Sequence, residues 1–224
     1  MSRRLSILCF GDSNTHGTPP MRDVWELERF AAEVRWPGVV RKELGDLADI
    51  IEEAQPGRTT IYDDPAAGGD RNGLTALRVA LDSHRPLDCV VMMLGTNDLH
   101  ARHSAGAWII SLNLAQLIQK IRQMPCGPTP DTQPEILIIC PPPVVETGFA
   151  AQSFVGAEVK AKDLPEHLSI VAEKFGAEYL DAGDLISVDS VDGIHFDADS
   201  HEVLGLAVAE KLKSILPRLQ THNQ

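Results

Sequence analysis

The sequence is poor in positive charge. Its 224 residues include 20 Lys and Arg against 32 Asp and Glu, which gives a formal net charge of −12. Nucleic acids and anionic membranes attract basic surfaces, so this balance argues against both as partners. A small substrate that carries little charge fits the composition better, and a hydrophobic content of 43% is enough for a sizeable core.

Paired cysteine motifs and long apolar runs are also missing. The four cysteines, Cys9, Cys89, Cys126 and Cys140, form no Cys-x-x-Cys pair, so they predict buried free thiols rather than a metal or redox site. No stretch approaches the roughly 18 consecutive apolar residues of a membrane span. The apolar run at residues 5–10 is too short for a signal peptide, and the predicted location is therefore the cytoplasm.

Short apolar runs alternate with longer amphipathic segments along the whole chain. The continuous runs favour a parallel sheet that is covered on both faces. The predicted strands are residues 5–10, 48–54, 88–94, 135–140 and 177–180. The predicted helices are residues 37–44, 72–81, 107–124, 160–175 and 199–216, the last ended by Pro217. This alternation predicts one doubly wound, three-layer α/β domain over residues 1–224.

Four polar motifs follow the predicted strands. GDSN at residues 11–14 follows the first strand, a Gly-Arg-Thr turn at residues 57–59 follows the second, and GTND at residues 95–98 follows the third. DGIH at residues 192–195 lies between the fifth strand and the last helix. Because ligands of doubly wound sheets bind outside the carboxyl ends of the strands, we expect these motifs to meet at one edge.

The residue types in these motifs suit nucleophilic catalysis on an ester. Serine is a weak nucleophile until a base takes its proton, and His195 can do this for Ser13. Asp192, three residues before His195, can orient the imidazole and stabilise its protonated form. Attack on a carbonyl creates an oxyanion that needs fixed donors. The candidate donors are the backbone N–H groups of Ser13 and Gly57 and the side-chain amide of Asn97.

Together, the four motifs resemble the blocks of the SGNH/GDSL hydrolase family, which centre on Ser, Gly, Asn and His. The resemblance implies a flavodoxin-like sheet of five parallel strands, ester hydrolysis and no metal. Several stretches are similar to the arylesterase and acyltransferase branch: ILCFGDS, ERFAAEVRWPGV, RTTIYDDP, MLGTND, PPP and VDGIHF. We therefore expect a serine esterase that acts on small acyl or aryl esters through an acyl-enzyme, with acyl transfer to alcohols as a second outcome.

Other functions stay open at this point. A carbohydrate deacetylase could use the same motifs, although an aromatic content of 5% gives little support to an open groove with exposed aromatics. A non-catalytic binding protein could share the scaffold, but the presence of every catalytic residue type counts against it. A metallophosphoesterase would draw on Asp98, His100 and His103, yet its early Asp-x-His motif is absent, so we expect no metal or other cofactor.

Three residues near the motifs are candidates for the substrate pocket. Asp12 is expected to brace the nucleophile loop at the pocket edge, and His16, one helical turn beyond Ser13, lies either in the pocket or on the surface. Pro142, within a triple proline, either walls the pocket or only ends the fourth strand. Residues 18–35 are long for a connection from strand to helix, which suggests a binding loop or a contact in a homo-oligomer.

Overall fold

The five predicted strands form a single parallel sheet. The computed structural model describes the backbone of residues 3–221 and their side chains, except those of Ala67 and residues 216–221. The strands are β1 (Leu5–Gly11), β2 (Ala48–Ala54), β3 (Cys89–Met93), β4 (Glu135–Cys140) and β5 (Glu178–Asp181). Their spatial order is β2-β1-β3-β4-β5, and every neighbouring pair is parallel. This is the flavodoxin-like order, so the predicted fold class is confirmed.

Helices cover both faces of this sheet. They are α1 (Ser13–His16), α2 (Trp36–Leu44), α3 (Gly73–His84), α4 (Ala107–Gln123), α5 (Ala157–Ala161), α6 (Leu164–Lys174) and α7 (Ala198–Thr221). The apolar residues of α2 and α7 pack on one face, and those of α3, α4 and α6 pack on the other. Among the residues that the structure describes, no helix is both long and apolar enough to cross a membrane.

Successive strand residues point into two different apolar cores. In β1, Ile7 and Cys9 pack in the core beneath α2 and α7. Leu8 and Phe10 pack in the opposite core, beneath α3, α4 and α6. Since central strands are covered on both faces, both sets of side chains must be apolar, which explains the continuous apolar runs. The four cysteines are buried and unpaired, as predicted.

The two largest differences between the predicted and the observed helices both involve proline. The predicted helix at residues 160–175 is divided into α5 and α6, because Pro165 lies in the first turn of α6, where its missing N–H costs nothing. The prediction that Pro217 ends the last helix was wrong, since α7 continues to Thr221. A proline inside a helix removes one hydrogen bond and crowds the carbonyl four residues earlier, so the helix can continue past it only at an energetic cost.

The sheet order places a crevice at the carboxyl ends of β1 and β3. The chain leaves β1 to form β2 on one side and later returns to form β3 on the other side. The connections after these two strands therefore diverge, which leaves space between them. Ser13 follows β1 directly and Asn97 follows β3 after a short turn, so both lie at this crevice.

Candidate active site

Ser13 is the first residue of the short helix α1. Asp12 caps this helix, because its Oδ1 atom accepts a hydrogen bond from the backbone N–H of Asn14 at 3.0 Å. The helix ends after one turn at Gly17, whose N–H donates to the carbonyl of Ser13. The strand and the capped turn fix the Ser13 backbone, so its side chain is held at the carboxyl edge of the sheet.

The DGIH motif forms a tight turn that brings its own aspartate and histidine together. Asp192 Oδ1 accepts hydrogen bonds from the backbone N–H groups of Ile194 and His195, each at 2.9 Å. Gly193 has a φ of 73°, and a Cβ atom there would lie 1.9 Å from the carbonyl oxygen of Val145. The turn therefore requires glycine between the two functional residues.

Ser13, His195 and Asp192 form a continuous chain of hydrogen bonds. His195 Nδ1 lies 2.6 Å from Asp192 Oδ2, and His195 Nε2 lies 3.0 Å from Ser13 Oγ. An ionised carboxylate can only accept, so Nδ1 carries the proton and Nε2 of the neutral ring accepts from the Ser13 hydroxyl. Asn14 ties the two loops together, since its side-chain amide donates to the carbonyl of Ile194 at 3.1 Å.

The carboxylate of Asp192 is stabilised in its charged form. Burial alone would raise the pKa of Asp192, because it disfavours charge. Hydrogen bonds from the His195 side chain, the charge of that ring and the backbone N–H groups of His195 and Met21 outweigh the burial and hold the pKa below its usual range. Asp192 is thus an ionised partner for His195 at neutral pH.

The three predicted oxyanion donors line the same cavity as His195. Gly57 adopts a φ of 79° in the turn after β2, a left-handed conformation that favours glycine. The backbone N–H groups of Ser13 and Gly57 make no hydrogen bond to any protein group that the structure describes. Both N–H groups are therefore available to an oxygen atom in the cavity.

Asn97 differs from the other two donors because its amide is already engaged. Its Nδ2 atom donates to the carbonyl of Arg58 at 3.0 Å and to Asp12 Oδ2 at 3.3 Å. The Arg58 contact fixes the direction of the amide, whereas the contact with Asp12 is long for a hydrogen bond. An oxyanion would compete with Asp12 for the second hydrogen of Asn97.

Asp98, the neighbour of Asn97, is hydrogen-bonded to the loop after β2. It is completely buried, and its carboxylate accepts from the backbone N–H of Thr60 at 2.9 Å and from the Thr60 hydroxyl. These contacts join the loop after β3 to the loop after β2. Burial, opposed by the Thr60 hydrogen bonds, raises the pKa of Asp98 to about 6.

The cavity beside Ser13 has a volume of about 330 Å³ and is lined by side chains of two chemical kinds. Its apolar lining, termed the apolar wall, consists of Met21, Val24, Phe149, Phe154 and Ile194. Its polar lining, termed the polar wall, consists of Asp64, His100, Arg102 and Ser153, and the two kinds meet where His100 packs against Phe154. The cavity can therefore hold a small molecule with an apolar part and a part that forms hydrogen bonds.

The polar wall is an ordered group of side chains. Arg102 Nη1 lies 2.5 Å from Asp64 Oδ1, and Arg102 Nε donates to His100 Nδ1 at 3.0 Å. Burial, together with the positive charges of Arg102 and His103, lowers the pKa of His100 to about 4. The His100 ring is therefore neutral at pH 7 and can accept hydrogen bonds from Arg102.

The three pocket residues expected from the sequence do not line this cavity within the described part of the chain. Asp12 is buried beneath the site, where it caps α1 and accepts from Asn97. His16 pairs with the hydroxyl of Thr18 at 3.2 Å. Pro142 is buried beside Gly183, so it ends the strand without walling the pocket. Asp12 therefore braces the loop of Ser13, as expected, but none of the three residues lines the cavity.

Most of the cavity lining lies outside the motifs that the sequence marks. Met21 and Val24 lie in the long segment of residues 18–35, whose length alone marked it as a binding loop or an oligomer contact. Phe149 and Phe154 lie in the irregular segment after β4. Their only signal in the sequence is that this segment leaves the carboxyl end of a strand. Among the described residues, no group of three or more His, Cys, Asp or Glu side chains is placed to hold a metal ion.

A known family shares these features. A model of the GDSL-like lipase/acylhydrolase family matches residues 9–203. The chain belongs to this family. The resemblance to SGNH/GDSL hydrolases inferred from the motifs is thereby confirmed, and the chain is of the esterase and acylhydrolase class. No curated protein sequence matches the chain.

Several solved structures resemble this GDSL-family chain over nearly their whole length. The native aryl esterase of M. smegmatis is 39% identical, with a TM-score of 0.87, over 94% of this chain and 99% of that one. A carbohydrate acetylesterase from Sinorhizobium meliloti is 37% identical, with a TM-score of 0.88, over 95% and 100%. A protein from Agrobacterium tumefaciens that has been assigned as an arylesterase is 34% identical, with a TM-score of 0.84, over 94% of this chain and 99% of that one.

The buried carboxyl group of Asp12 predicts a pH-dependent stability. Burial raises the pKa of Asp12 from 3.8 to about 6, because the hydrogen bond from Asn14 and the charges of His195 and Arg58 only partly offset it. The folded state therefore favours protonated Asp12. This contribution is complete below pH 4 and is lost as the pH rises through about 6.

We therefore compare the free energy of unfolding of the wild type with that of Asp12→Asn. The wild-type value minus the variant value should be most positive near pH 4 and should fall between pH 4 and pH 7. Urea unfolding at a series of pH values measures this difference, and Asp98→Asn should show the same trend. A difference that increases with pH would contradict the expectation.

Proposed function

We propose that this chain is a serine esterase that hydrolyses small acyl and aryl carboxylic esters through an acyl-enzyme on Ser13. The observation that carries the proposal is the hydrogen-bonded chain from Asp192 through His195 to Ser13, with distances of 2.6 and 3.0 Å. This is the arrangement in which a hydroxyl becomes a nucleophile at neutral pH. The test is the hydrolysis of p-nitrophenyl acetate. A burst of p-nitrophenol equal to the enzyme concentration is expected whenever deacylation is slower than acylation.

In the acylation step, Ser13 Oγ attacks the ester carbonyl while His195 Nε2 takes the hydroxyl proton. Asp192 stabilises the imidazolium that forms. The carbonyl oxygen becomes an oxyanion, which the N–H groups of Ser13 and Gly57 and the amide of Asn97 stabilise. His195 then gives the proton to the leaving alcohol as the ester C–O bond breaks, and the acyl group stays on Ser13.

The deacylation step repeats the same chemistry with water as the nucleophile. His195 Nε2 takes a proton from water as its oxygen attacks the acyl carbonyl. The oxyanion forms in the same site, and its collapse breaks the bond to Ser13 Oγ, which receives the proton back from His195. The products are a carboxylic acid and the free enzyme.

Asn97→Ala should lower kcat by about 10²–10³-fold with little change in KM, as the loss of one oxyanion donor does elsewhere. The reason is that the long contact between Asn97 and Asp12 yields to a stronger contact only when negative charge develops. Asn113→Ala is the control, since Asn113 Nδ2 donates to the hydroxyl of Tyr62 at 3.2 Å outside the cavity. Steady-state kinetics separate the two constants, and a variant changed mainly in KM would place Asn97 in substrate binding instead.

The apolar wall of the cavity supports acyl transfer to alcohols as a second outcome of the same acyl-enzyme. Met21, Val24 and Phe149 can hold the carbon chain of an alcohol against Ser13 and lower the local activity of water. We expect benzyl acetate as well as acetic acid when vinyl acetate and benzyl alcohol are supplied in mostly aqueous medium. Chromatography of both products over time measures the partition. Fast hydrolysis without any transient benzyl acetate would contradict acyl transfer to alcohols but would not contradict ester hydrolysis.

The polar wall favours a carbohydrate acetylesterase as the second candidate function. Asp64, His100 and Arg102 can form hydrogen bonds with sugar hydroxyls, and one structural neighbour is a carbohydrate acetylesterase. The ratio of kcat/KM for an acetylated monosaccharide to that for phenyl acetate decides between the two. A non-catalytic binding protein would hydrolyse neither ester, and the hydrogen bond between His195 and Ser13 argues against it.

A further inference from the structure

We propose that the backbone N–H of Met21 positions the catalytic carboxylate, which makes the segment of residues 18–35 part of the catalytic machinery. The N–H donates to Asp192 Oδ2 at 2.7 Å, across 171 positions of sequence. Oδ2 is the same atom that accepts from His195 Nδ1. The inference rests on the proposed function, because it assigns a positioning residue to that triad.

The hydrogen bonds to the Asp192 carboxylate show why the one from the Met21 N–H matters. Oδ1 accepts from the backbone N–H groups of Ile194 and His195, and Oδ2 accepts from His195 Nδ1 and from Met21. Three of these four donors belong to the turn that contains Asp192 itself. Met21 is the donor that comes from another segment, and with it the acceptor sites of the buried carboxylate are filled.

The segment that carries Met21 is anchored by contacts made by residues that follow Met21 in the chain. Phe30 N–H donates to the carbonyl of Gly17 at 2.8 Å, and Arg29 Nε donates to the carbonyl of His16 at 2.7 Å. Arg35, with a side chain that is 10% exposed, is paired with Glu52 of β2 at 2.9 Å. These contacts hold the segment against α1 and β2, next to the turn that contains Asp192.

Met21 also contacts the substrate space directly. Its side chain lines the cavity together with Ser13 and His195, while its backbone holds Asp192. A substrate bound in the cavity therefore contacts the same residue whose backbone N–H orients Asp192. The expected contribution is to kcat, since a misoriented carboxylate weakens stabilisation of the imidazolium that exists only during the reaction.

The test compares two substitutions at position 21 that differ in the backbone N–H. Met21→Pro removes the N–H, whereas Met21→Ala keeps it and shortens the side chain. Met21→Pro should lower kcat by about 10–100-fold with little change in KM, the cost of a small misplacement in an active site. Met21→Ala is expected to raise KM, because the shortened side chain lines the cavity, and it serves as the control for the NMR signal rather than for kcat. The proton NMR signal of His195 Nδ1–H should shift in Met21→Pro and stay in place in Met21→Ala.

A second replacement covers the case in which proline distorts the segment. The 2-hydroxy acid analogue of methionine at position 21 replaces the N–H by oxygen and keeps the side chain, and it should reproduce both the loss of kcat and the NMR shift. Wild-type kcat and an unshifted signal in this protein would overturn the inference, as would an equal shift of the His195 signal in Met21→Ala. The same assay is run on Ser13→Ala. Substantial activity in that variant would contradict the proposed function, whatever the results at position 21.

Discussion

Ser13→Ala is expected to lower kcat for p-nitrophenyl acetate by about 10⁶-fold, the cost of removing the nucleophile from a comparable triad. Alanine leaves His195 without a proton to accept and leaves the acyl group without an acceptor atom. The oxyanion donors on the backbone of Ser13 and Gly57 stay in place, so a small residual rate above that of water should persist. Steady-state and single-turnover kinetics measure both values.

The same cavity provides a matched control. Ser153 also lines the cavity but takes no part in the hydrogen-bonded chain, so Ser153→Ala should keep kcat near the wild-type value. Residues of a triad act as a unit, and a double variant with alanine at Ser13 and His195 should be no slower than either single variant. Additive losses, or a Ser13→Ala protein with substantial activity, would contradict the nucleophile assignment.

Asp192→Asn is expected to cost about 10⁴-fold in kcat, by analogy with the same change in other triads. The asparagine amide can donate to His195 Nδ1, and this favours the tautomer in which Nε2 carries the proton. That tautomer cannot accept the proton of Ser13. The loss should therefore fall on kcat, with KM nearly unchanged, and it should exceed the loss caused by Asn97→Ala.

Asp189→Asn is the control for this change. Asp189 lies in the same loop, but its side chain accepts from the backbone N–H of Val191 and does not contact His195. Its replacement should leave kcat within a few-fold of the wild type. Near-normal kcat in Asp192→Asn, or equal losses in the two variants, would show that Asp192 is not the third member of the triad.

The sheet and the polar motifs could be predicted because parallel strands impose strong rules. β1, β3 and β4 are covered on both faces, so they are mostly apolar and easy to recognise. The carboxyl ends of parallel strands share one edge, so motifs that are distant in sequence must meet there. This rule predicts that Ser13, Asp192 and His195 lie close together, although it does not predict their distances.

The irregular segments could not be predicted in the same way. Met21 and Phe149 reach the cavity through backbone paths that no periodicity specifies. The two hydrogen bonds from the amide of Asn97, to Asp12 and to the carbonyl of Arg58, depend on the relative placement of three loops. Proline shows the same limit, because Pro165 begins a helix whereas Pro217 lies within one, and their local sequences do not separate the two cases.

Covalent trapping tests the assignment of Ser13 most directly. A fluorophosphonate reacts with serines that a neighbouring base activates, and peptide mass spectrometry locates the adduct. We predict one adduct per chain, on Ser13, formed in step with the loss of esterase activity and absent in His195→Ala. Complete inactivation with the adduct on another residue, or full labelling of Ser13 with activity retained, would contradict the proposed mechanism.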